Sequence, residues 1–360
     1  MKLRLSLRIM VLLIERIYSI REKTARFCSI DHTRTAHYTC PMTQFISFPS
    51  WISPEIIPGL PLRWYGLMYV VAFSFAYLMI RVQARKGDIA LDADQTLNLV
   101  LYCVVGLVVG ARLFSVLFYD GTTYYWTHPW MIFWPFRDGR FVGLPGMSYH
   151  GGLVGAILGA WLFSRKYRFN FLSLADTVSY AAPLGYTFGR LGNFINGELF
   201  GRVSTTPWAM VFPDAPRFST NYEWVRTLAD SLGIAYQSGE LVNLPRHPSQ
   251  LYEALFEGVL LFCFLWFVIR KRKNLKTGMG LAWYMIGYGT VRFFIEYLRS
   301  PDENLGYILA FGKQSDNIAL FQSFFNFSMG QLFCLAMIFS GIIFILVLRK
   351  QKGALHVSHT

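Results

Sequence analysis

Of the 360 residues only 15% are charged, against about 25% in an ordinary soluble domain, while 54% are hydrophobic and the mean hydropathy is +0.35. This balance excludes an ordinary soluble enzyme and points to an integral membrane protein with small polar parts. The formal net charge of +13 would suggest nucleic acid in a soluble chain. Here the cations cluster at the ends of apolar runs, where membrane topology accounts for them and no nucleic-acid partner is implied.

Residues 1–41 differ from the rest. Met1 to Ile20 has a basic start and a short apolar run, Ile9 to Ile14, which Glu15 and Arg16 interrupt. It is a poor signal peptide and too short for a span. The expectation is that translation begins at Met42 and that 1–41 is a non-native extension; the alternative is a basic amphipathic surface helix.

From Trp64 onward, apolar length and flanking charge place spans at about 64–80, 97–117, 150–164, 172–196, 250–269, 279–298 and 328–348. The third is short for a full crossing, and its glycines predict close helix packing. Cations crowd after spans one (Arg81, Arg85, Lys86), three (Arg165, Lys166, Arg168), five (Arg270 to Lys273, with Lys276) and seven (Arg349, Lys350, Lys352). By the positive-inside rule these four links are cytoplasmic. The native N-terminus is then outside and the C-terminus inside. The eight Lys/Arg against three acids in 1–41 would break that rule, in keeping with a Met42 start. The expected architecture is an all-α polytopic membrane protein with seven transmembrane helices over 42–350. A small extracytoplasmic head at about 197–249 and a cytoplasmic tail at 351–360 complete it.

The chemistry-bearing residues gather at the outer ends of the spans. Arg63-Trp64-Tyr65-Gly66 opens span one, and Tyr149-His150 opens span three. Gly189-Arg190-Leu191-Gly192-Asn193-Phe194-Ile195-Asn196-Gly197-Glu198 closes span four, and Arg246-His247-Pro248-Ser249-Gln250-Leu251-Tyr252-Glu253 opens span five. Tyr288, Arg292, Glu296 and Arg299 lie in the outer half of span six, the last three sharing a helical stripe. An arginine at membrane depth is costly and normally faces a cavity or a partner. Two of them, Arg190 and Arg292, suit a phosphate, which guanidinium binds in bidentate fashion. Histidine is the usual proton acceptor near neutral pH. The set therefore fits transfer chemistry on an anionic lipid.

Plainer readings stand beside this one. Arg190 and Arg292 could form internal salt bridges with Glu198 and Glu296. His150 could be a hydrogen-bonded residue at a helix start, and Tyr65, Tyr252 and Tyr288 interface anchors. Arg112 and Asp176 could pair structurally or orient toward the cytoplasmic half, and Glu253 with Glu257 could serve helix packing. Cys103, Cys263 and Cys334 lie in apolar segments, and with no C-x-x-C spacing or Cys/His cluster neither a metal nor a cofactor is expected. The rival functional class is a lipid or anion transporter. That class would carry repeat symmetry and midplane helix breaks, and this chain has no repeat and gathers its polar set at one face.

At these blocks, together with Gly146-Met147-Ser148-Tyr149-His150-Gly151-Gly152 and Gly287-Tyr288-Gly289-Thr290-Val291-Arg292, the chain resembles phosphatidylglycerol–prolipoprotein diacylglyceryl transferases. The resemblance runs from about Ile52 to Lys350. It implies a multi-pass enzyme of the bacterial inner membrane with a periplasmic head. The implied reaction moves the diacylglyceryl group of phosphatidylglycerol to the lipobox cysteine of a prolipoprotein signal peptide. A thioether forms and glycerol phosphate leaves, as the first step of lipoprotein maturation. The residues essential in that family match Tyr65, His150, Arg190, Asn193, Glu198, Gly201, Tyr288, Arg292 and Glu296. On that basis His150, Arg190, Arg292, Tyr288 and Tyr65 are the catalytic candidates. Arg190, Asn193, Glu198, Gly201, Arg292 and Glu296 are the substrate-binding ones. The extension before Met42 and the stretch 214–245 depart from the family pattern, which bears on the shape of the head.

Overall fold

The apolar runs become long helices, several of them with a local cap at the start. The computed structural model describes residues 45–350 apart from 58, 60, 61, 122, 123, 138, 142, 145, 273, 274, 301–305 and 313–318. The expectations for 1–41, Met42, Lys273 and 351–360 lie outside the described residues. The helices are α1 (Trp64–Arg85), α2 (Ala93–Phe118), α3 (Tyr149–Tyr167), α4 (Phe171–Ile195), α5 (Glu223–Ser231), α6 (Ser249–Ile269), α7 (Met279–Ile295) and α8 (Met329–Lys350). Asp92 and Gln95 form a reciprocal capping box at α2, and the side chains of Ser148 and Asn170 cap α3 and α4. Among the described residues α1, α2, α6 and α8 are long and apolar enough to cross a bilayer.

α2 and α3 pack backbone to backbone. A Cβ on Gly106 or Gly110 would collide with the carbonyl oxygens of Gly155 and Gly151, and one on Gly159 with that of Tyr102. Glycines four residues apart on α3 thus let the two helices approach closely, as expected for association in lipid. α1 packs on α4, and α7 on α8. Helix α6 departs from a regular spiral: it opens into wide π-type turns over Ala254–Leu260 and Phe264–Ile269. Such turns recur at functional sites, and nothing in the apolar pattern predicted them.

Polar locks hold the two ends. At one, Arg270 pairs with Asp88 and stacks on Trp266, while Lys276 Nζ donates to the Leu348 carbonyl at 2.7 Å. Asp176 accepts from the Gly278 and Leu281 amides at 2.6 and 2.8 Å and so caps the start of α7. Asp176 does not pair with Arg112, which was one of the expectations. Arg112 lies toward the opposite end and bonds the connection between α2 and α3.

That opposite end carries the short strands and α5. Ile46–Ser47 runs parallel to Met210–Val211, and Phe218–Ser219 pairs with Leu241–Val242. α5 covers a small core of Val203, Val225, Val242 and Leu244. Gly201 bridges to Arg299, and Leu309–Ala310 pairs with Asn326–Phe327 just before α8. The described residues of segments 45–63, 197–248 and 299–327 therefore meet at the same helix ends.

The α2–α3 contact has a direct test. Gly155→Ala puts a methyl against the Gly106 backbone and should lower stability by about 1–3 kcal/mol. Gly189→Ala, whose Cβ would meet nothing within 4 Å, should leave the thermal midpoint in nanodiscs close to wild type.

Candidate active site

α4 carries Tyr186, Arg190 and Asn193 at i, i+4 and i+7, hence on one face. α7 brings Arg292 toward that face, and the turn that ends it adds Glu296 and Arg299. α6 supplies Glu253 and Glu257 from the third side. Glu253 is completely buried and sits at the centre. Its Oε2 lies 2.9 Å from Arg190 Nε and 3.1 Å from Arg292 Nη1, and its Oε1 lies 3.0 Å from Arg299 Nη1. The Tyr186 hydroxyl accepts from Arg190 Nε at 2.7 Å and donates to Glu253 at 3.2 Å.

The remaining charges close the network. Arg292 also meets Glu257 at 3.5 Å and Glu296 at 3.0 Å, and Arg299 Nε stands 3.6 Å from Glu296. Ser328, at the foot of α8, donates to Glu296 at 3.1 Å. Three guanidinium groups thus face three carboxylates in a mostly apolar interior, where unpaired charge would be prohibitive. The arginines are not sealed: their side chains keep 15–19% exposure, while those of Glu253 and Glu257 keep none.

Asn193 and Glu198 form an outer rank. Arg190 Nη1 donates to Asn193 Oδ1 at 3.4 Å, and Asn193 Nδ2 donates to Glu198 at 2.9 Å. Asn196 Nδ2 reaches the same Glu198 oxygen at 3.3 Å, and Gln250 holds the Glu198 carbonyl at 2.6 Å. Of the two salt bridges considered above, Arg292–Glu296 forms, whereas Arg190 takes Glu253 and not Glu198. A recess of about 380 Å³ adjoins this rank, lined by Glu55, Arg63, Asn196, Glu198 and Asp214 among others. It borders neither Arg190 nor Arg292.

The other sequence candidates occupy varied places. Tyr288 stands edge-on to Tyr186, with ring centres 5.9 Å apart, and stacks on Tyr284. Tyr65 packs against Gly192, and its hydroxyl lies 3.0 Å from that of Tyr69. His150 is exposed in the first turn of α3, with the rings of Tyr149 and Phe333 as its neighbours at 5.8 and 6.4 Å. Gly201 is a packing position: its amide donates to the His247 carbonyl at 2.8 Å, and a Cβ would collide with the Leu298 carbonyl. Burial lowers the His247 pKa below its ordinary 6.5, and its Nδ1 lies 3.2 Å from the Tyr252 hydroxyl.

Glu253 as the hub, with Arg299 and Tyr186 as its partners, escaped the sequence reading. The available signal was an acid inside an apolar span, which needs a cationic partner.

The fold and this cluster define a helical membrane protein with an arginine–carboxylate centre at one end of its helices. A family profile described as prolipoprotein diacylglyceryl transferase matches residues 52–347. Curated relatives named phosphatidylglycerol–prolipoprotein diacylglyceryl transferase align over most of both chains. The protein of Treponema denticola is 47% identical over 86% of this chain and 96% of its own length. That of Treponema pallidum is 47% identical over 82% and 93%, and that of Chlorobaculum tepidum 40% over 85% and 92%. The chain belongs to the prolipoprotein diacylglyceryl transferase family.

Removing the hub should be severe. Glu253→Ala leaves three partly exposed guanidinium groups without their shared buried partner and should cost about 3 kcal/mol. The thermal unfolding midpoint in nanodiscs reads this out, and a midpoint equal to wild type would contradict the central role of Glu253.

Proposed function

We propose that this chain moves the diacylglyceryl group of phosphatidylglycerol onto the cysteine thiol of a prolipoprotein lipobox, the first step of lipoprotein maturation. Its membership of the family supports this reading. The structural observation that carries it is that Arg190 and Arg292 meet on one oxygen of Glu253. The buried carboxylate holds the two guanidinium groups side by side. Each keeps N–H groups that have no acceptor among the described residues and can take the oxygens of a lipid phosphate.

The chemistry follows from charge. A phosphodiester carries one negative charge. When the thiolate sulfur bonds to the glycerol carbon, the C–O bond breaks and its electron pair goes to the phosphate oxygen. The departing glycerol phosphate then carries a second charge. Arg190 and Arg292 stabilise that growing charge, and a donor aimed at developing charge contributes most in a site of low dielectric. His150 takes the thiol proton, and its exposure leaves it open to an incoming peptide. Tyr288 and Tyr65 orient the head group, Asn193 and Glu198 steady Arg190, and Glu296 steadies Arg292.

In the same reading all seven long helices cross the membrane, the 45–63, 197–248 and 299–327 segments form a periplasmic face with the head, and the C-terminus is cytoplasmic. The cation clusters at the other helix ends support this orientation.

The test is transfer from phosphatidylglycerol to a lipobox peptide in lipid-loaded nanodiscs. Arg190→Ala should lower turnover by roughly 10²–10³-fold; near-normal turnover would remove it from the site. In the same assay, His150→Gln should lose the acid limb of the pH–rate profile, and a variant that keeps the native limb would reject His150 as the base.

A further inference from the structure

Arg112 is a buried cation that this mechanism leaves unused. It stands on α2 six residues before Phe118, about 9 Å from that helix end. Its residue is 3% exposed. Its guanidinium reaches three separate points of the 119–148 connection. Nε donates to the Ile132 carbonyl at 2.6 Å, Nη1 to the Gly146 carbonyl at 3.2 Å, and Nη2 to the Tyr125 hydroxyl at 2.8 Å. The guanidinium carbon also lies 4.9 Å from the centre of the Tyr125 ring, which is itself buried.

These contacts run directly into the start of α3. Gly146 has a φ of +75°, and a Cβ there would lie 3.0 Å from Ser115 Oγ and 3.4 Å from Arg112 Nη1, so the chain turns tightly against α2. Two residues on, the Ser148 amide donates to the Ala111 carbonyl at 3.0 Å, and the Ser148 side chain caps α3 at the Gly151 amide. His150 lies in that first turn. A long connection has many alternative paths, and ordering it costs conformational entropy that a few well-placed bonds must offset. The planar fork of arginine can serve three acceptors in different directions; a lysine ammonium on its flexible stem cannot hold the same three.

We propose that Arg112 is a positioning residue for the transfer reaction: by tying Tyr125, Ile132 and Gly146 to α2 it fixes where α3 begins and so where His150 meets Phe333 of α8. The catalytic part of this inference rests on the reading of His150 as the acceptor of the thiol proton. Its structural part does not. Loss of the fork lets the helix start drift, and displacement of a reacting group by about 1 Å can cost 10²-fold in rate.

The experiment uses the full chain in phosphatidylglycerol nanodiscs, with the native cysteines replaced and His150→Cys and Phe333→Cys introduced. A short thiol-to-thiol reagent should join the two positions when Arg112 is present. The yield should fall severalfold with Arg112→Gln and with Arg112→Lys, the second variant keeping the charge where the first fails to fold. Equal yields in all three backgrounds, or no product with Arg112 present, would overturn the proposal. In parallel, Arg112→Lys with His150 intact should show kcat lowered by roughly 10²-fold and an unchanged KM for phosphatidylglycerol. Reduced cross-linking with normal kcat would leave Arg112 as an anchor of the fold and overturn its role in the reaction, together with the assignment of the base. Absence of transfer in the wild type would instead overturn the functional reading itself.

Discussion

One buried carboxylate facing three guanidinium groups is the interaction on which the rest of the site depends. Glu253 comes from α6, Arg190 from α4, and Arg292 and Arg299 from α7 and the turn that ends it. None of these charges could sit in an apolar interior alone. Together they tie three helices at the same depth and hold two arginines next to each other with donors to spare. The wide π-type turns of α6 begin at Ala254, directly after Glu253, and Glu257 falls within the first of them. The irregular part of that helix thus carries part of the site's charge.

The remainder of the fold brings this centre to one end of the helix bundle. α2 and α3 form a tightly packed pair whose glycines exclude side chains from the contact, and they present His150 at the same end as the arginines. The 197–248 segment is tied to the turn after α7 through Gly201, where two backbones cross too closely for any side chain, and through the bridge from Gly201 to Arg299. At the far end Asp88, Asp176, Arg270 and Lys276 secure helix ends with ion pairs and caps. The ionised residues of the two ends are arranged differently: single pairs and caps at one, and at the other a network of three arginines and three carboxylates.

Much of this was legible in the sequence, and the gaps have physical causes. Apolar length found the long helices because the bilayer sets that length. The glycines spaced by four on α3 announced its close packing. Arg190 and Arg292 stood out because arginine in an apolar run demands a partner. Which partner was not legible: Glu253 and Glu257, one turn apart, read equally well as packing residues, since spacing within a helix says nothing about the helix opposite. The pairing of Arg112 with Asp176 failed for a reason the topology already held. Arg112 lies near the end of α2 and Asp176 near the start of α4, and those two helix ends fall at opposite ends of the bundle. The π-type turns left no trace in the apolar pattern, which is blind to a single extra residue per turn. His150 was singled out through its motif, and its approach to Phe333 of α8 is a tertiary fact that the motif does not contain.

In the account proposed above, a resident carboxylate aligns two arginines for a lipid phosphate. The most direct measurement is an experimental density map of the protein in phosphatidylglycerol nanodiscs. The account predicts head-group phosphate within hydrogen-bonding distance of both Arg190 and Arg292, with Glu253 still bonded to each. Phosphate bound elsewhere, with neither arginine in contact with it, would contradict the account.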